Sequence, residues 1–439
     1  MRRMTSSLLV RHLQSGLGRL PPGPLVVAFS GGLDSTALLH ALAGIEAARE
    51  RGLRAVHVDH GLQAESSAWA VSCATLAAQI GVALSAVTTE PASAAGRGVE
   101  GAARKARYRA LRAAMHDGDI LTTAQHADDQ AETVMLKLLR GAGPEGLGGM
   151  RELRDFAPGR LWRPLLDLPR AVLKEHAQAH GLCWIEDPSN DDTRLRRNFL
   201  RREILPRIAQ RWPEAPRAIA HSARWAREAA DYIDQAARDE LGGLHGSDPA
   251  TLDWRRWLDL APALRDPVLR LWLRSLGLDE PAHFHVAELV RQLRGASGRA
   301  LCVSWERSEV RTYRDRLHAM RPLRPVPAEW HAAWNGAPLD LPAGGRIALE
   351  PAAPGADAPA LSVRYRRGGE RIKPAGSGHT RDLRLLLQES GVPPWERDRI
   401  PLIHSGAELI AVGDLFISAA GRSICEQRNS RIAWVRAAD

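Results

Sequence analysis

The chain has 439 residues and a mass of 48.0 kDa, with 44% hydrophobic and 25% charged residues. These are the proportions of a globular protein of about two to four domains, and they exclude global disorder. No run approaches the ~18 apolar residues of a membrane helix, and the basic start leads only to Leu8-Leu9-Val10 before Arg11, too short for a signal peptide's core, so a cytoplasmic location is expected. The four cysteines are far apart, which leaves no disulfide framework and no spacing-defined zinc or iron–sulfur site, and a net charge of +9 favours polyanionic partners.

Up to about residue 190 the pattern alternates strand and helix. Leu25–Phe29 is a short, continuously apolar run, as in a strand buried on both faces, and a helix is expected from Thr36 to Glu50. Strands follow at Arg54–Val58, Val82–Thr88 and Asp119–Thr123, with helices at Ala70–Ile80, Gly101–Met115 and Asp129–Arg140. This alternation predicts an α/β fold with a doubly wound parallel sheet, whose ligands bind beyond the carboxyl ends of its strands. Pro169–His180 reads as a helix with proline at its first position, Asp187–Asn190 as a turn, and Arg196–Gln210 as an arginine-rich helix. Ser222–Leu293 reads as a small helical domain, with Leu264, Val268, Leu271 and Trp272 on one face. After a proline-rich boundary at Pro351–Pro359, strands at Leu361–Tyr365 and Leu409–Val412 flank a helix at Thr380–Glu389, giving a C-terminal α+β domain. The expected divisions are 1–212, 213–330 and 340–439.

Two strings carry chemistry. Ser30-Gly31-Gly32-Leu33-Asp34-Ser35 joins the first strand to its helix. Its glycines let the backbone bend and approach an anion, the following N–H groups point at that anion, and the serines add donors. No lysine follows, so the loop is not of the Walker type. The second string, His126-Ala-Asp128-Asp129-Gln130-Ala-Glu132, opens the helix after the fourth strand and places its carboxylates on one side of the first turn. A capping box explains such acids equally well when they stand alone. At the sheet end that also carries the phosphate loop, they read as a site for Mg²⁺ and proton handling. His57 and His60 read as local hydrogen-bonding groups rather than metal ligands, and Trp254, Trp257 and Trp272 as core residues. Between residues 190 and 225 nine arginines face four acids, enough for RNA contact to weigh evenly with a merely solvated basic face.

The Ser30–Ser35 string resembles that of the N-type ATP pyrophosphatases, the PP-loop superfamily. The His126–Thr133 string, ending in Leu139-Arg140-Gly141, resembles the tRNA(Ile)-lysidine synthetase family within it. Further matches lie at Val56–Leu62, Gly101–Tyr108, Arg163–Leu166, Asp187–Asn190, Arg197–Arg201, Arg367–Glu370 and Val392–Leu402. Asp59 stands where asparagine is usual, and Lys137 where arginine is common. The resemblance implies a PP-loop fold of the adenine nucleotide alpha hydrolase type, with ATP and Mg²⁺ as cofactors. It implies free L-lysine and the tRNA(Ile) bearing a CAU anticodon as partners, and no membrane. The sequence leaves a homodimer open. The implied reaction transfers AMP to the carbon-2 oxygen of the wobble cytidine, after which the lysine ε-amine displaces it, giving lysidine and changing codon reading from AUG to AUA.

Carried onto this chain, Ser30, Gly31, Gly32, Leu33, Asp34, Ser35, His57 and His126 would bind the nucleotide. Asp34, Asp129 and Glu132 would serve metal and proton transfer, while Arg104, Arg107 and Arg197 would counter negative charge. The alternatives are a PP-loop tRNA-thiolating enzyme, which needs suitably placed cysteines, an amide-forming synthetase acting on small molecules, and a catalytically inert tRNA-binding module.

Overall fold

The computed structural model describes residues 7–59, 66–89, 99–186, 191–295, 301–351 and 361–436. His60, the turn at Asp187–Asn190 and most of the Pro351–Pro359 segment lie outside them. The chain divides into two compact units, 1–232 and 233–439. Among the described residues no helix is long and apolar enough to cross a membrane.

The first unit opens with helix α1 (Leu8–Leu17), capped by the Ser7 hydroxyl, which the sequence reading had not marked. Then come β1 (Leu25–Ala28), α2 (Leu33–Ala43), α3 (Glu46–Glu50), β2 (Arg54–Asp59), α4 (Ser66–Ile80), β3 (Leu84–Thr88) and α5 (Val99–Ala113). They are followed by β4 (Ile120–Thr122), α6 (Ala127–Leu138), α7 (Pro144–Leu147), β5 (Leu153–Phe156), β6 (Gly159–Trp162) and α8 (Arg170–Ala179). The strands form one sheet in the order β3-β2-β1-β4-β6-β5, parallel except for β5 at the edge. The expected doubly wound parallel sheet is therefore present.

Its double winding explains the unbroken apolar run of β1. Leu25 and Val27 enter a core with α1, α2, α4 and α8, whereas Val26 packs on the other face with Val56, Leu111, Leu121 and Leu161. Alternating side chains enter opposite cores, so neither set can be polar. The long helix expected at Thr36–Glu50 instead begins at Leu33, inside the glycine loop, and breaks at Gly44 into α2 and α3. Pro169 is the N-cap of α8, with ψ of 148°, rather than its first helical residue.

The arginine-rich helix is also not uniform. It comprises α9 (Arg196–Phe199), a π-helical turn over Leu200–Ile204, and α10 (Leu205–Arg211) with Pro206 in its first turn. A long helix, α11, covers Ala215–Gly242.

The second unit holds two hydrophobic cores. One gathers Trp257, Val268, Trp272, Val286, Leu289 and Leu317, with Leu264 and Leu271 partly buried against it, so the expected apolar helix face is real. Besides its helices this region carries a four-stranded antiparallel sheet built from 251–253, 302–305, 308–313 and 316–320, an addition to the expected helices. The buried Trp257 and Trp272 donate their indole N–H groups to the carbonyls of Arg265 and Pro249. The other core lies among antiparallel sheets and the helices Leu383–Glu389 and Ala419–Gln427, the expected C-terminal α+β region.

Candidate active site

The glycine string folds into a cradle. Gly31 takes a φ of +76°, and a Cβ there would meet the Cys73 thiol and the Ile185 side chain, so only glycine fits without strain. The Gly31 carbonyl accepts the Ile185 N–H at 2.9 Å, which pins the loop from outside. The Ser35 hydroxyl stands 3.1 Å from that of Ser30 and donates to the Gly32 carbonyl. Gly32 is the N-cap of α2, so Leu33, Asp34 and Ser35 form the helix's first turn, where amides lack intrahelical acceptors. Those amides and the positive end of the helix dipole suit a phosphate. The Leu33 side chain is buried in the core, so only its backbone is available to the cradle. His57 is also buried, its Nδ1 2.9 Å from the Phe29 carbonyl at the end of β1. It braces the strand end beside the cradle, as the reading of local hydrogen bonding expects.

Next to this cradle, where β4 runs into α6, lies an ionic cluster. His126 is the N-cap of α6, and the Asp129 carboxylate accepts the His126 backbone N–H at 3.3 Å. The capping reading of these acids is thus correct, and they also do more. The His126 ring, 2% exposed, has Nε2 at 3.3 Å from Asp129 and 3.7 Å from Asp34, and Nδ1 at 3.4 Å from Asp128. Burial alone would lower its pKa, but Asp129, Asp128 and Asp34 together raise it to about 10. The ring is therefore an imidazolium at neutral pH. Burial opposes the charge on Asp34, yet His126 and Arg170 outweigh it and hold the Asp34 pKa below the ordinary carboxylate value. Asp128 is lowered in the same way, by His126 and by the Arg170 backbone N–H at 2.9 Å.

The deepest member is Glu132, whose side chain is 1% exposed. Arg201 Nε donates to its Oε1 at 2.6 Å and Arg197 Nε to its Oε2 at 2.7 Å. Both guanidiniums also donate to Asp129 Oδ1, at 2.8 and 3.1 Å. Burial works against the charge of each arginine, but Asp129 and Glu132 raise both pKa values above the usual one. Arg170 closes the set, its Nε donating to Asp34 at 3.0 Å. Four carboxylates (Asp34, Asp128, Asp129, Glu132) thus meet four cations (His126, Arg170, Arg197, Arg201), and the cluster is close to neutral.

The structure brings together Asp34, His126, Asp129, Glu132 and Arg197 of the sequence-predicted residues. It places Arg104 and Arg107 on the exposed side of α5, with the Arg104 guanidinium over the Tyr108 ring. Sequence reasoning had not marked Arg170 or Arg201 as site residues. Arg201 stands four residues beyond Arg197, a spacing that puts two helical side chains on one side and could have flagged it. Nothing in the sequence near Arg170 announces its role. Arg163, almost fully buried, donates to Gln125 at 3.1 Å and to the Arg151 carbonyl, joining the end of β6 to the loop that leads into α6.

A parallel sheet with a glycine cradle at the first helix and an acid-tipped helix after the fourth strand defines a PP-loop enzyme. The family model described as the PP-loop domain matches residues 6–208. Those described as the TilS substrate binding domain and the TilS substrate C-terminal domain match 252–318 and 361–434. The chain is 42% identical over 422 residues to a tRNA(Ile)-lysidine synthase of Xanthomonas campestris pv. campestris, covering 95% of this chain and 96% of that one. It is 41% identical over 441 residues to the tRNA(Ile)-lysidine synthase of Alkalilimnicola ehrlichii, covering 97% of each. The chain belongs to the tRNA(Ile)-lysidine synthase family. Among solved structures it is similar to the U34-tRNA thiolase NcsA from Methanococcus maripaludis with its [4Fe-4S] cluster. There the identity is 16%, the TM-score 0.43, and the coverage 50% of this chain and 78% of that one, a likeness from which nothing about chemistry follows.

Proposed function

We propose that this chain joins free L-lysine to the wobble cytidine of the tRNA(Ile) with a CAU anticodon, consuming ATP and releasing AMP and pyrophosphate. The carbon-2 oxygen of cytosine is part of a urea-like group and leaves poorly. AMP transfer turns it into a good leaving group, which the lysine ε-amine then displaces. The observation that carries this reading is the union, at one sheet end, of an anion cradle with a charge-balanced carboxylate cluster.

The Ser30–Ser35 amides and hydroxyls hold the departing pyrophosphate. Mg²⁺ fits at Asp34, a hard oxygen donor beside the cradle with 30% of its side chain exposed, and when bound there it would shield phosphate charge. It does not fit at Glu132 as the cluster stands, because both oxygens already accept from arginines. Asp129 serves the ammonium of the incoming lysine, whose deprotonated amine is the attacking form, while Glu132, with both oxygens taken by Arg197 and Arg201, anchors those arginines at the site. Arg197 and Arg201, paired with Asp129 and Glu132, would counter negative charge on the nucleotide, as planar guanidiniums do. Arg104 and Arg107, on the face of α5, meet the tRNA or the nucleotide. The target base must leave the anticodon stack, at a cost of about a few kcal/mol. Regions 252–318 and 361–434 recognise the rest of the tRNA, chiefly through phosphates and shape.

The thiolation alternative has less support. Cys73, beside Gly31, is buried and its thiol is pushed up to about 11, the opposite of what a sulfur carrier needs. The test mixes the enzyme, ATP, Mg²⁺ and labelled lysine with the isoleucine and methionine tRNAs that carry CAU. Label entering the isoleucine tRNA alone is expected; sulfur incorporation, or label in neither tRNA, refutes the reading. Asp129→Asn is expected to abolish incorporation while tRNA retention stays nearly intact.

A further inference from the structure

Away from the ionic cluster, α2 and α8 hold three imidazoles against one another. His40 lies near the end of α2, His176 in the last turn of α8, and His180 is the C-cap of α8. One ring nitrogen from each lies within 4.8 Å of the others, the one group of this kind among the described residues. The His40 Nδ1 and His176 Nε2 are 3.0 Å apart. Ring centroids are separated by 4.3 to 5.2 Å. We infer that His40, His176 and His180 form a binding site for a divalent transition metal of the zinc class, which staples α2 to α8.

The donor set selects the metal. Three neutral imidazoles suit Zn²⁺, Co²⁺, Ni²⁺ or Cu²⁺ and do not suit Mg²⁺ or Ca²⁺, which take oxygen ligands. In a tetrahedral zinc site with Zn–N bonds of about 2.0–2.1 Å, ligand nitrogens lie about 3.4 Å apart. The His40–His176 pair is already that close. His180, exposed at the helix end, has room to close the rest and leaves the fourth position open to water.

The outer partners are those of ligating histidines, in which the second ring nitrogen is tied down. His180 Nδ1 donates to the His176 carbonyl at 2.8 Å, which fixes the tautomer and leaves Nε2 as the ligating atom. The Ser7 hydroxyl lies 3.1 Å from His176 Nδ1 and fixes that ring. Burial first, and the neighbouring rings second, lower the pKa of His40 and bring that of His176 to about 4. Protons therefore compete poorly for these nitrogens at neutral pH.

The position also matters. Asp34 and Arg170, paired at the cradle, lie in the first turns of α2 and α8, and His40 and His176 each stand six residues further on. Six helical residues rise about 9 Å. The two helices thus run side by side in one direction, joined by an ion pair at the nucleotide end and by the imidazoles on the next rung. A metal there fixes the spacing of the helices that carry Asp34 and Arg170.

The experiment titrates the full chain, stripped by a chelator and free of nucleotide, with Zn²⁺ by calorimetry and with Co²⁺ by visible absorption. Expected are one equivalent per chain, the intense bands of four-coordinate Co²⁺, and a rise in Tm with Zn²⁺. His180→Asn, at the helix end, should weaken binding at least about 100-fold, beyond the loss caused by removing an outer partner such as the Ser7 hydroxyl, about 10-fold. His40→Asn should do the same. Absence of saturable binding would leave a hydrogen-bonded ring stack and overturn the inference. Binding undiminished in both variants would place the metal elsewhere and overturn it equally.

Discussion

Two histidine centres in the same unit are tuned in opposite directions, though His126 and His176 are equally buried. His126 sits among Asp34, Asp128 and Asp129 and is raised to about 10, while His176 meets, among the described residues, the rings of His40 and His180 and the Ser7 hydroxyl and falls to about 4. Burial is common to both; the sign of the neighbours decides the outcome. One ring is held as a cation by the three carboxylates that crowd it, and the other is a neutral ligand and packing group.

The largest effect expected from this contrast is in His126→Leu. It leaves Asp34, Asp128 and Asp129 without their shared cation and should cost about 3–5 kcal/mol in urea unfolding, with loss of pyrophosphate release. The matching His176→Leu, measured on metal-free protein, should cost less than about 1.5 kcal/mol, because an apolar side chain of similar volume replaces a neutral ring. Equal penalties would erase the distinction. Next in size is Arg201→Ala, which strips one guanidinium from the buried Glu132; a loss of about 3 kcal/mol is expected, and Arg201→Lys should recover only part of it because a point charge cannot copy the fork.

The pH dependence sharpens the comparison further. A group whose pKa rises on folding stabilises most below its unfolded value, so the His126 contribution is full below about 6.5 and disappears as pH climbs toward 10. For His176 the pKa falls on folding, so its contribution is full above about 6.5 and is lost as pH drops toward 4. Unfolding midpoints of His126→Leu should therefore approach those of the parent at alkaline pH, and those of His176→Leu at acid pH. The smallest signal is spectroscopic: ring proton resonances of His126 should not move between pH 5 and about 9, and those of His176 should not move until well below 6.

The same contrast explains what the sequence disclosed. The Ser30–Ser35 cradle and the His126–Glu132 string were legible because each is contiguous and lies where an apolar strand meets a helix. Arg170 and the imidazole group were not, because His40 and His176 lie 136 residues apart and only the packing of α2 on α8 unites them. The hairpins at 302–320 were hidden for a different reason. Their turns place Glu306 and Arg314 at φ of 45° and 53°, where glycine or asparagine usually signals a two-residue turn. The hairpin of β5 and β6 escaped because its edge strand, Leu-Arg-Asp-Phe, is half charged. The helix after the cradle differs from the expected Thr36–Glu50 at both ends, because Leu33, Asp34 and Ser35 of the glycine string already form its first turn and Gly44 ends it.

The π-helical turn at Leu200–Ile204 has a consequence for how this protein can vary. Such a turn is an α-helix carrying one surplus residue, and it contains Arg201, the second arginine of the grip on Glu132, and ends where Leu205 and Pro206 open the following segment. Arg197, before the turn, and Arg201, within it, both reach Glu132 across this local widening. Deleting one residue between Arg197 and Arg201 would change their spacing from four to three and carry the second guanidinium about 100° round the axis, so the length of this stretch, as much as its residues, sets the grip on Glu132.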